Sequence, residues 1–103
     1  MPYFTSRELL ARSKSSKMVR HDIDLGDAHT ATIIDTELTG VTIIDTGTGT
    51  FTLTCVFYDN TSEDLTSADL SNYDYIDCII KSLKITNSSQ VGLTLKLLID
   101  KVV

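Results

Sequence analysis

ATIIDTELTGVTIIDT, residues 31–46, states nearly the same line twice. Ala31-Thr32-Ile33-Ile34-Asp35-Thr36 is followed by Val41-Thr42-Ile43-Ile44-Asp45-Thr46. Thr, Ile and Val carry a branched Cβ that is stiff in a helix and packs well on a pleated surface, so each copy reads as a strand. Asp is depleted within strands and common where they end, which places Asp35 and Asp45 at strand ends. Glu37-Leu38-Thr39-Gly40 then reads as a reversal, with Gly40 permitting the turn. The expectation is two adjacent antiparallel strands, about residues 31–35 and 41–45, with the two carboxylates at opposite ends of the ladder. That arrangement argues against a duplicated acid/base site.

The same texture continues outward. Thr supplies ten of the twenty-five residues from Thr30 to Thr54, interleaved with apolar residues. Phe51, Leu53, Cys55 and Phe57 alternate with Thr52, Thr54, Val56 and Tyr58, giving a strand at about 50–58 with one buried face. Thr52, Thr54, Val56 and Tyr58 form its other face, which mixes polar and apolar groups and is a candidate subunit contact. Residues 62–72 read as a polar loop. The run 75–86 changes apolar phase near Ile79-Ile80, a bulge or a bend dividing strands at about 75–80 and 82–86. Asn87-Ser88-Ser89-Gln90 reads as a tight hairpin connection to a final strand, about 92–100, where Val91, Leu93, Leu95, Leu97 and Ile99 alternate. Six short strands separated by turn signals point to an all-β fold, an antiparallel β-sandwich of jelly-roll-like type.

Ahead of the strands lies a different texture. Residues 1–20 hold Arg7, Arg12, Lys14, Lys17 and Arg20 against Glu8 alone, a net of +4; residues 21–103 hold four lysines and thirteen acids, a net of −9. A basic N-terminal arm, 1–20, thus precedes an acidic β-sandwich domain, 21–103. Thr5 and Glu8 have the spacing of a capping box, and Phe4 and Leu9 that of a hydrophobic staple, so a short helix is expected at about 6–13. Two turns are marginal alone in water. Phe4, Arg7, Leu9, Leu10, Arg12, Lys14, Lys17 and Arg20 are therefore the candidate partner-binding residues of the arm, and opposite charges on arm and body favour exchange between subunits.

No enzyme chemistry is legible. His21 and His29 have no nucleophile context, and Gly47-Thr48-Gly49 lacks the third glycine and the following helix of a phosphate cradle. Asp22, Asp24 and Asp27 begin like a calcium loop, but Gly26 falls one position early and Ile33 stands where the bidentate Glu belongs. Asp59, Thr61, Glu63 and Asp64 fail similarly, with Leu70 at the twelfth position. No cofactor and no metal is expected. The acidic body repels phosphate and the arm lacks stacking aromatics, so no nucleic acid is expected either. No apolar run approaches the roughly 18 residues of a membrane span, and the N-terminus lacks the apolar segment of a secretory signal, which reads as a cytosolic chain. Cys55 and Cys78 read as buried free thiols on strands, and the two N-x-S/T sequons are set aside for want of a signal.

The C-terminal stretch, residues 83–99, resembles the ending of small structural proteins of tailed bacteriophages: an apolar strand, Thr86-Asn87, small residues, Gln90-Val91-Gly92, and an alternating apolar strand. Asp45-Thr46-Gly47-Thr48-Gly49-Thr50-Phe51-Thr52-Leu53 is similar to the turn and strand of the same proteins. The resemblance covers about a quarter of the chain. It implies a non-enzymatic virion component, assembled in the host cytoplasm, most simply a capsid cement or decoration protein. The implied partners are the major capsid protein or another virion protein, and further copies of the chain, with a trimer favoured. A head-tail or tail part, or a soluble β-module holding a glycan or metal between loops 22–29 and 59–72, are the alternatives.

Overall fold

A computed structural model describes residues 16–102. The expectation of an all-β, antiparallel fold is met. Seven strands form one continuous sheet: β1 (Ser16–Asp24), β2 (His29–Asp45), β3 (Thr52–Val56), β4 (Ser62–Thr66), β5 (Tyr75–Ile76), β6 (Ile80–Asn87) and β7 (Thr94–Val102). The spatial order is β1-β7-β2-β6-β3-β4, with β5 also paired to β2, and every pairing is antiparallel.

The two TIIDT lines are one strand. The expected reversal at 37–40 does not occur; β2 runs through it for 17 residues. Its first half pairs with β6, from His29↔Asn87 to Leu38↔Ile80, and its second half pairs with β7, from Leu38↔Lys101 to Asp45↔Lys96. Each half thereby finds a longer partner than the other half could supply. The turn-like residues serve as irregularities within the strand instead. Glu37 takes a positive φ of 59° and the register shifts between Leu38 and Gly40. Further shifts fall between His29 and Thr32, Ile33 and Asp35, and Ile43 and Asp45. Such bulges add local twist and bend, which lets one strand belong to two layers. Gly40 is required for a different reason: the Tyr75 ring lies where its Cβ would be.

The bend folds the sheet onto itself. Val41 and Ile43 of β2 and Leu95, Leu97 and Ile99 of β7 share one buried cluster with Leu53 and Cys55 of β3 and Ile80, Leu83 and Ile85 of β6. Strands facing water on one side cannot reach near-zero exposure unless a second layer covers them, so β1-β7-β2 forms one layer and β2-β6-β3-β4 the other. Leu25, beyond β1, and Phe51, before β3, close one end of this core.

Several expected boundaries change. β6 and β7 do not form a hairpin; β2 stands between them, and residues 88–93 cross from one layer to the other. That crossing pairs with the β1–β2 turn, through Gln90 N–H to Leu25 O at 2.7 Å and Leu25 N–H to Leu93 O at 2.9 Å. The polar segment 62–72 contains an edge strand, β4, and a single 3-10 turn, Ser67–Asp69. The bend dividing two strands is present, with the break at 77–79. Cys78 lies in that break, half-buried, rather than on a strand, while Cys55 is buried on β3; both are free thiols. The expected helix at 6–13 lies outside the described residues. The strand β1 begins at Ser16, so residues 16–20, grouped with the arm by charge, are paired along β7.

Candidate functional site

Of the arm residues, Lys17 and Arg20 stand on β1, opposite Lys101 and Leu98 of β7. Arg20 is exposed and its Nε donates to Asp22 Oδ1 at 3.0 Å. Phe4, Arg7, Leu9, Leu10, Arg12 and Lys14 lie outside the described residues. Thr52, Thr54 and Val56 form the outward row of β3, half-buried between neighbouring strands, and Tyr58 follows beyond the strand end, exposed. The pairings extend this row sideways into Thr66-Thr52-Thr86, Asp64-Thr54-Lys84 and Ser62-Val56-Ser82. Thr54 Oγ1 donates to Asp64 Oδ1 at 2.7 Å. The face is a broad hydroxyl-rich surface with one acid and one lysine at its centre, and it mixes polar and apolar groups as read.

Asp35 and Asp45 share no cleft. Asp45 Oδ1 accepts the Gly47 N–H at 2.8 Å and so holds the turn after β2. Asp35 instead joins the layers. Its Oδ2 lies 2.9 Å from His21 Nε2 on β1, and its Oδ1 accepts from Lys101 Nζ on β7 at 2.6 Å and from the Thr36 N–H at 2.8 Å. Burial pushes this carboxyl upward, but the Lys101 and His21 contacts and the Thr36 N–H together outweigh it and leave Asp35 below the ordinary carboxylate range. An acid among apolar strand residues signals such a partner; which partner was not readable, because His21 and Lys101 are 14 and 66 positions away. The group is a clamp between layers.

At the opposite end, Asn87 is buried and its Nδ2 donates to the carbonyls of Leu25, Asp27 and Ser88, while its Oδ1 meets His29 Nδ1 at 2.6 Å. Gln90 acts as an added rung: Nε2 donates to Thr50 O at 2.6 Å and Oε1 accepts from Thr50 N–H at 2.7 Å. Gly47, at φ 67°, sits against the Thr94 backbone where any side chain would collide.

Several loop acids bind their own neighbouring residues. Asp24 accepts from Gly26 N–H, Asp59 from the Thr61 N–H and hydroxyl, and Asp69 from the Thr66 N–H and hydroxyl. The Thr61 contacts hold Asp59, and the Thr66 contacts hold Asp69, below the usual carboxylate range. Among the described residues no group of three or more His, Cys, Asp or Glu is placed to hold a metal ion, and no helix is long and apolar enough to cross a membrane. Cys55 is pushed up to about 11, chiefly by burial and further by Cys78, Asp64 and Glu63 nearby, so it carries no reactive thiolate near neutral pH. Comparison with known proteins finds no matching family model, no matching curated protein and no matching solved structure.

Proposed function

We propose that this chain is a non-enzymatic structural protein of a tailed-bacteriophage virion, a capsid cement or decoration protein that binds the major capsid protein. The observation that carries the reading is the meeting of the two stretches that resemble such proteins. Residues 45–53 and 83–99 are distant in sequence, yet Gln90 joins Thr50 by two hydrogen bonds and Gly47 packs on Thr94, so they meet at one end of the molecule. A bent sheet clamped at both ends is a rigid block with broad polar faces, which suits a static contact. The basic segment before Ser16 supplies a charged tether to an acidic neighbour.

Mass spectrometry of virions purified from cells carrying the gene tests this. The chain should appear in fixed stoichiometry to the major capsid protein, and electron microscopy of particles with and without it should place the missing density on the head. Density at the neck or tail would move the protein to those parts; virions that lack the chain would sink the reading. The arm is tested by deleting residues 1–15, which leaves β1 intact, and asking whether the shortened protein still rebinds stripped heads. Normal rebinding refutes a role for the arm.

A further inference from the structure

β1 and β4 are the two terminal strands of the sheet among the described residues, and each leaves one backbone edge unpaired. An open edge is a template for another strand, and proteins usually blunt it with charge. Here the first part of β1 and β4 carry opposite charges. β1 presents Lys17 and Arg20 ahead of Asp22 and Asp24, whereas β4 reads Ser62-Glu63-Asp64-Leu65-Thr66. Both strands are largely exposed.

We infer that β1 of one copy pairs antiparallel with β4 of the next, in the register His21↔Glu63, Arg20↔Asp64 and Val19↔Leu65. Side-chain direction supports this alignment. Val19 lies opposite buried Ile99, and Leu65 opposite buried Leu53, so both point to the core side of their layers. Arg20 and Asp64, one residue on, both point outward. Antiparallel partners share a face, so the alignment places an apolar pair inward and a charge pair outward. It also sets Met18 against Thr66 and Asp22 against Ser62. Sliding β4 by two residues in one direction puts Asp64 against Asp22; sliding it in the other puts Glu63 against Val19. The register is therefore specified by repulsion as well as attraction.

Because the two edges differ, the contact is head-to-tail, and successive copies close into a ring or run on as a filament. Five residue pairs make less than the ~1,600 Å² of a standard interface, so a single contact is weak and assembly depends on concentration and salt. The inference needs only the two edges and does not depend on the virion reading.

Sedimentation velocity of the full chain across a concentration series provides the test. Its mass should rise with concentration, and the rise should weaken as salt increases from about 50 to about 500 mM. Arg20→Glu alone and Asp64→Lys alone should each shift association to at least tenfold higher concentration. An equimolar mixture of the two variants should recover it, because each then meets an opposite charge on both edges. Hydrogen exchange of the unsubstituted protein should slow with concentration at 18–22 and 62–66 only, a readout independent of how the variants fold. A protein that stays a single copy, single variants that associate normally, a mixture that does not recover, or protection at other segments would overturn the pairing.

Discussion

The two halves of β2 carry almost the same residues and meet different fates. In the second half Ile43 is 0 % exposed, with β7 and β5 paired to β2 at Thr42; in the first, Ile33 is 57 % exposed, and among the described strands β6 alone pairs along that half. The acids diverge as well, Asp45 holding a turn and Asp35 bridging layers. Local sequence made both halves strands. What each half buries was decided by its neighbours, which is why β-propensity is better understood as fit to a half-buried surface than as an intrinsic preference.

Substitutions can break this comparison, and Ile43→Ala should do so most strongly. It empties a fully buried site and should destabilise the fold by about 3–4 kcal/mol in urea denaturation. A cost under about 1 kcal/mol would mean that the second half is not the core half.

Next in size is Asp35→Asn, which leaves Lys101 and His21 without their shared carboxylate and should cost roughly 2 kcal/mol at pH 7. Asp45→Asn should change stability by no more than about 0.5 kcal/mol, since an amide oxygen can still accept the Gly47 N–H. The Asp35 effect has a definite pH sign. The folded carboxyl lies below its unfolded value, so its contribution is complete above the unfolded value and is lost as pH falls through the folded one. The gap between wild type and Asp35→Asn should accordingly shrink as pH falls through and below the ordinary carboxylate range, and a constant gap would show that the ion pairs do not supply it.

A smaller effect, about 1 kcal/mol, is expected for Gly40→Ala at the junction of the halves. The added methyl displaces the Tyr75 ring and with it the 3.1 Å hydrogen bond to Asp100. In a Tyr75→Ala background the same substitution should be nearly silent, and an undiminished cost there would place the strain elsewhere. Smallest of all, Ile33→Ala should alter stability by no more than about 0.5 kcal/mol. Thermal melts of that variant beside Ile43→Ala would give the comparison its sharpest form.

Period-two alternation made the β class legible, and it found the buried faces of β3 and β7, where Leu53, Cys55, Leu95, Leu97 and Ile99 are all in the core. Turn chemistry misled at 37–40, because Gly40 serves close packing against the Tyr75 ring as well as a reversal, and nothing about Glu37 signals its positive φ. β4 was hidden for a related reason: an edge strand is charged on purpose, and Ser62-Glu63-Asp64 looks like a loop. Residues 16–20 of β1 were grouped with the arm through their own charges, Lys17 and Arg20. The clamp and the Asn87 network were not legible as sites, because each joins residues brought together only by the crossing of layers. Gln90 was noticed as texture, and its role as a rung on Thr50 required the fold.

The place of β7 also bears on how the protein is made. It is the last of the described strands, yet in its layer it lies between β1 and β2 and supplies the hydrogen bonds for both. Among the described strands, β1 has no partner and the second half of β2 has only the two-residue β5 until residues 94–102 leave the ribosome. Half of the core therefore waits for β7, and closure of the Ser16↔Val102 pair comes as a late, long-range step in folding. A nascent chain released early would carry Val41 and Ile43 uncovered, a surface suited to recognition by chaperones rather than to function.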